Sequence, residues 1–278
     1  MGVTQWWRRL TGKKDEGADG ARSSARSQPP RQARAAAKAP TARPGRQAAV
    51  DPARPVLGLV AARSGWVGAH LEASGHGTPQ IVTGGSIDDV VSQVGPVTVV
   101  AVGVPLGLPD DSKRAADGEV RRFLGSQASA VVGTPVRDAV YAGSDSEANR
   151  VNRERTGSGV SRQASDLRPR IMEVDRWLRQ DLPHRVVEVV PEASFAVMTG
   201  TPLDSRRGSS AGGQERREAL ARAGIYVPVT APHGVAAEEV VASCAAAWTA
   251  HRVKAGEPRS FPEQPETFSD GIPAAVFA

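Results

Sequence analysis

The stretch VLGLVAARSGWVGAHL, Val56 to Leu71, constrains this chain most. It reads as a buried strand, a tight turn and a second strand paired antiparallel to the first, so the fold starts from a hairpin. A second constraint is VTVVAV, Val97 to Val102, which is apolar on both faces and mostly β-branched. A strand apolar on both sides is one covered on both faces of a sheet.

The segments between and after these two fit helices and strands in alternation. Ile81 to Thr83 is a short third strand closed by Gly84 and Gly85, and Ser86 with Asp89 three residues on forms an N-cap for a short helix. A helix is expected over about 111–124, followed by a looser region over 126–160. Leu167, Ile171, Val174 and Leu178 step by four, three and four residues and place one apolar face on a helix over 162–181. RVVEVVPEASF, 185 to 195, is a strand running into a turn at Pro191, because proline cannot donate to a sheet ladder. Two further helices are expected, about Gln214 to Ala223 and Ala236 to Val253, with a terminal apolar strand or hook at Ile272 to Phe277. The pattern is α/β: a mixed sheet, antiparallel hairpin first and then parallel strands, with helices on both faces. Functional groups in such sheets gather at the carboxyl ends of the central strands, here near Val60, Gly103 and Val190 to Glu192.

Charge is distributed unevenly. Residues 1–54 hold 12 of the 35 Lys and Arg but 4 of the 30 Asp and Glu, leaving the remainder with more acids than bases. The basic pI therefore belongs to the tail and gives no warrant for a basic groove on the body. From Gly12 to Arg54 there is almost no large apolar residue, so burial is too small to offset ordering entropy, and 1–54 is expected to be a disordered Ala/Arg/Pro-rich tail. Trp6, Trp7 and Leu10 beside Arg8 and Arg9 leave open an interfacial anchor or a nucleic-acid contact. The expected domain runs over 55–256, with a Pro-rich extension over 257–278. One cysteine, Cys244, excludes an intrachain disulfide and points to the cytoplasm. No run approaches the roughly 18 apolar residues of a membrane span.

Several chemistries are excluded. The five histidines show no metal-ligand spacing with Cys244, no GxSxG occurs, and neither Gly12-Lys13-Lys14 nor GSSAGG (208–213) has the strand-to-helix context of a phosphate loop. Cys244, on the inner face of an alanine-rich helix, reads as a small core residue.

A series of motifs carries a resemblance. GLVAARSGW with Arg63, Gly65 and Trp66 is followed by VGVPLGL, by Arg114, Asp117 and Arg121, and by TPVR (134–137). Then come Gln163 before IMEVD, EVVPEASF, the Arg206-Arg207 and Gly212 to Arg216 segment, and the helix with Glu238 and Glu239. In this order they resemble the domain-of-unknown-function 429 family, predicted nucleases with a ribonuclease H-like fold. The resemblance implies carboxylates at strand ends and on a late helix that hold Mg²⁺ or Mn²⁺, ions that activate water and stabilise transition-state charge.

Matched by position, those acids fall on Val60, Gly103 and Ala242, and a further polar residue falls on Val190. Glu192 and Glu239 survive as residual catalytic candidates, with Glu238 beside the latter. The resemblance therefore implies a degenerate member, a pseudoenzyme without a metal site or cofactor, whose cleft binds nucleic acid or another phosphate through Arg63, Arg114, Arg121, Arg137, Arg206, Arg207 and Gln163. Two other readings stay open. One is an active Mg²⁺- or Mn²⁺-dependent nuclease using Glu192, Glu239 and one of Asp110, Asp111 or Asp204. The other is an interaction protein acting through its basic tail. Bland alternatives stand beside these: Glu192 and Glu239 as first-turn helix charges, and Arg114 and Arg121 as partners of Asp117 and Asp110 or Asp111 on a solvated helix face.

Overall fold

The structure is a computed structural model that describes residues 39–278. The expected hairpin is present: β1 (Val56–Ala62) and β2 (Gly65–Leu71) pair antiparallel through a two-residue turn, Val56 opposite Leu71 and Ala62 opposite Gly65. β3 (Gln80–Gly84) adds antiparallel to β2. On the other side of β1, β4 (Val99–Val102) and β5 (Arg185–Val189) run parallel to it. β7 (Pro273–Phe277) continues parallel to β5, and β6 (Ser260–Thr267) closes the edge antiparallel to β7. The resulting order is β3-β2-β1-β4-β5-β7-β6. This mixed α/β sheet, antiparallel first and then parallel, is consistent with the ribonuclease H-like class.

Alternation along the strands divides the core in two. Leu57, Leu59, Val100, Val102 and Val186 pack on one face beneath α1 (Ile87–Val94), α3 (Arg137–Tyr141) and α5 (Arg162–Trp177). Val56, Val99, Ala101, Val187 and Val189 pack on the other beneath α6 (Pro191–Thr199), α7 (Ser210–Arg222) and α8 (Ala237–Ala255). At Gly58, α8 lies so close on β1 that a Cβ there would stand 2.1 Å from the Ala247 amide nitrogen. The alanine-rich sequence of α8 allows this approach.

α1 is capped as its sequence indicates, with Asp89 N–H donating to Ser86 Oγ at 3.1 Å and Ser86 N–H to Asp89 at 3.0 Å. The helix expected over 111–124 is α2 (Ala115–Leu124) and begins after Arg114. The looser region contains α3 and α4 (Asp145–Thr156), joined to α2 by a 3-10 turn at Gly125–Ala130. α4 is almost wholly polar and buries only Ala148 and Asn152, so apolar periodicity does not reveal it. Pro191 does not end a strand in a turn: it is the first residue of α6, where its missing N–H has no helical partner to lose.

Both expected domain boundaries lie too far inward. The chain is docked well before Val56. Leu182 N–H donates to Arg46 O at 2.7 Å, Ala48 N–H to Leu182 O at 3.0 Å, Val186 N–H to Gln47 Oε1 at 2.9 Å and Asp51 N–H to Thr98 Oγ1 at 2.6 Å. Backbone pairing does here what apolar burial does not, so a composition argument misses it. At the other end, residues 260–277 are two strands of the sheet rather than a coil extension, with Val276 and Ala278 fully buried. The rest of the expected tail, with Trp6, Trp7, Arg8, Arg9 and Leu10, lies outside the described residues.

Candidate functional site

The carboxyl ends of β1, β4 and β5 open into a cleft of about 700 Å³, walled by α5, by the start of α8 and by the loop before α7. Val60, Gly103, Val190 and Ala242 all line it. Val60 and Ala242 are each 7 % exposed and pack with buried Val67, and Ala62, Ile81 and Val235 lie against them. Gly103 N–H donates to Leu59 O at 2.7 Å, and a Cβ on Gly103 would meet Val60 Cγ1 at 3.1 Å. Where the resemblance calls for acids, the floor is therefore a small aliphatic cluster.

The buried carboxylates nearest this floor already have partners. Glu188, two residues before Val190, accepts from Arg114 Nη1 at 2.7 Å and Nη2 at 2.9 Å, and from Leu106 N–H at 2.7 Å. Arg114 also donates to Asp117 Oδ1 from Nη2 at 2.6 Å and from Nε at 3.0 Å, and to Leu106 O. Asp117 in turn accepts from Thr134 N–H at 2.7 Å and Oγ1 at 3.1 Å. Burial pulls the Arg114 pKa down, but attraction to Glu188 and Asp117 outweighs it and leaves the guanidinium more firmly charged than usual. Burial pushes the Glu188 carboxyl up by more than Arg114 pulls it back, so it stays above the usual carboxylate range. With two guanidinium donors on its two oxygens, the pair is held as ions.

Glu192 and Glu239 are not brought to one cavity. Glu192 sits in the first turn of α6, buried, and accepts from Arg216 Nη2 at 2.7 Å and Nε at 3.1 Å. It lines a separate cavity of about 310 Å³ beside the cleft. Arg216 is also buried and donates further to Ser205 O and Gly212 O, which fixes the loop before α7. Glu239 lines the main cleft and accepts from Ala236 N–H at 2.9 Å, closing the first turn of α8. Among the described residues no three His, Cys, Asp or Glu side chains cluster as metal ligands. Asp110 accepts from Ser269 N–H and Oγ, and Asp110, Asp111 and Asp204 lie outside the cleft lining. The donor set does not fit Mg²⁺ or Mn²⁺, which require several convergent oxygen ligands.

The cation candidates scatter. Arg114 is enclosed, not presented to a ligand, and its i,i+3 pairing with Asp117 is buried instead of solvated. Arg121 donates to Val131 O at 2.9 Å. Arg137 donates to Pro40 O and borders a third cavity against residues 39–44. Arg63 is exposed in the β1–β2 turn and Arg206 is exposed in the loop before α7; neither lines the cleft. Arg207 and Gln163 do line it, joined by Arg162, which the motif match did not single out. Burial pushes the Cys244 thiol up to about 12, in keeping with a core role.

Residues 50–267 match the model of the family described as protein of unknown function (DUF429). The chain belongs to this family. No curated protein and no solved structure matches it. Within this DUF429 chain, the match starts inside the docked N-terminal segment and ends with β6, so it spans the entire cleft. No helix among the described residues is long and apolar enough to cross a membrane.

Proposed function

We propose that this DUF429 chain is a non-hydrolytic member of a ribonuclease H-like group, which keeps the strand-end cleft as a binding site and does not perform metal-dependent cleavage. The observation that carries this reading is the aliphatic contact of Val60, Val67 and Ala242 at the point where the sheet would present its acids. A carboxylate binds a divalent ion only in company. Here the neighbouring acids Glu188 and Glu192 are each neutralised by a buried arginine. Removing such a partner exposes an uncompensated buried charge, so neither acid is free to turn toward a metal.

Nucleic-acid binding by this cleft finds less support than ligand binding in general. A groove that tracks a phosphate backbone needs several accessible cations, and of the matched arginines only Arg207 reaches the cleft. The test is to incubate the full-length protein with Mg²⁺ or Mn²⁺ on single-stranded RNA, DNA and an RNA–DNA hybrid. No turnover is expected. Turnover that disappears in Glu192→Gln or Glu239→Gln contradicts the reading.

A further inference from the structure

The geometry points to an aliphatic zwitterion as the cleft's ligand: a branched apolar body carrying an ammonium and a carboxylate, as in an aliphatic amino acid or the free ends of a short aliphatic peptide. This rests on the non-hydrolytic reading above and names the chemistry of the same site.

Three observations carry it. The first is the character of the floor. Val60, Val104, Pro105, Val190, Leu167 and Ala242 supply aliphatic surface, and no aromatic side chain lines the cleft. Bases are held by stacking on aromatic rings, so a nucleobase finds no platform here, whereas a branched aliphatic chain finds matching surface. The second is size. About 700 Å³ lies within the range of clefts that take small molecules or short peptides.

The third is the charge left on the rim once internal pairs are removed. Glu188 is held by Arg114 and Arg162 lies 3.9 Å from Asp166, while Glu239 keeps its charge and receives the Ala236 N–H at the first turn of α8. Arg207 and Glu238 remain, both exposed, and among the described residues neither is in a salt bridge. Both also line the adjoining 310 Å³ cavity, as does Ala242, so one cation and one anion stand where the two cavities meet. With Glu239 counted, the unpaired cleft charges are one cation and two carboxylates, which give a polyanion no net attraction. The rim complements a ligand with one carboxylate for Arg207 and one ammonium for Glu238, and each such charge-assisted contact is stronger than a neutral hydrogen bond.

The experiment titrates the full-length protein, without added metal, with tri-leucine bearing free termini, with leucine, with N-acetyl-tri-leucine amide and with a short single-stranded oligonucleotide, read by calorimetry. Saturable tri-leucine binding with a Kd of about 1 mM or tighter is expected. Capping both ends should weaken it at least tenfold, and so should Arg207→Glu or Glu238→Lys, two exposed positions whose near-UV circular dichroism should match the parent. Binding of leucine at similar strength assigns the site to a free amino acid, and binding of tri-leucine alone assigns it to a peptide end. Absence of saturation, equal affinity for the capped peptide, affinity unchanged in both variants, or displacement of tri-leucine by the oligonucleotide overturns the assignment. Failure here without metal-dependent cleavage leaves the non-hydrolytic reading standing, and cleavage is scored separately.

Discussion

Glu188 gives both carboxylate oxygens to Arg114, at 2.7 and 2.9 Å, in a part of the sheet where the two side chains are 3 % and 1 % exposed. Arg114 is shared with Asp117, so Arg114→Met leaves two carboxylates as uncompensated buried charges and should destabilise the domain by about 3–5 kcal/mol, whereas Glu188→Ala leaves the Arg114–Asp117 pair and should cost less. Equilibrium urea unfolding measures this. The paired change Glu188→Leu with Arg114→Met should lose less than Arg114→Met alone, because it leaves one lone buried carboxylate, Asp117, in place of two. A double variant as unstable as the sum of the two single changes would show that the ions stabilise beyond mutual neutralisation.

A second expectation concerns the approach of α8 to β1. Gly58→Val places a side chain where the Ala247 nitrogen already stands 2.1 Å from the first added atom, and backbone cannot rotate aside as a flexible side chain does. Overpacking of this kind costs about 1–3 kcal/mol or more. Thermal unfolding should show a lower midpoint for Gly58→Val than for Val60→Ala, although Val60→Ala removes buried apolar surface and Gly58→Val adds it.

His184 provides a pH dependence. It is buried against Trp177, ring centroids 5.2 Å apart, with its Nε2 unpartnered among the described residues. Burial lowers its pKa from 6.5 to about 4. The unfolded chain therefore takes up a proton near pH 6.5 that the folded chain refuses until about pH 4. Between those values the unfolded state holds more protons, and stability falls as pH falls. The loss reaches about 3 kcal/mol across the window at roughly 1.4 kcal/mol per unit. Unfolding free energies at pH 7 and pH 4.5 should converge in His184→Phe relative to the parent. An unchanged difference would assign the acid sensitivity to other groups.

The docked segment before β1 is open to a local test. At Gly45 a Cβ would fall 1.8 Å from the Gln180 carbonyl oxygen, so Gly45→Ala should lift residues 45–48 from Asp181 and Leu182. Hydrogen exchange should then accelerate at the Gly45, Ala48 and Leu182 amides, while β1 and β4 amides keep their protection. Equal acceleration at β1 would mean that this segment unfolds only with the whole sheet.

The central sheet was legible because its signals are local. An apolar run at 56–60 and a largely β-branched one at 97–102, together with the Ser86–Asp89 cap, define β1, β4 and the start of α1 without any tertiary information. The acid-free character of Val60, Gly103 and Ala242, which line the cleft, was equally legible, since each can be read directly from the sequence. What escaped depends on partners distant in sequence. Glu188 lies inside a motif, but nothing local says that Arg114, 74 residues earlier, encloses it. Arg216 is an ordinary helical arginine until the fold sets it against Glu192. Likewise β6, with two prolines and two acids, resembles coil until β7 provides its ladder. The arginine candidates failed to converge for the same reason: sequence order fixes which element each rides on, and packing decides which way it faces.

With Glu188 and Glu192 each paired to a buried arginine, the protein should hold no divalent metal. The most direct measurement is a manganese titration of the full-length protein followed by electron paramagnetic resonance, in which free and bound Mn²⁺ are distinguished. The expected result is no stoichiometric binding up to about 1 mM Mn²⁺. One-to-one binding in the micromolar range that is lost in Glu192→Gln or Glu239→Gln would contradict it, because such a site requires carboxylates that here are paired with Arg216 or closing the first turn of α8.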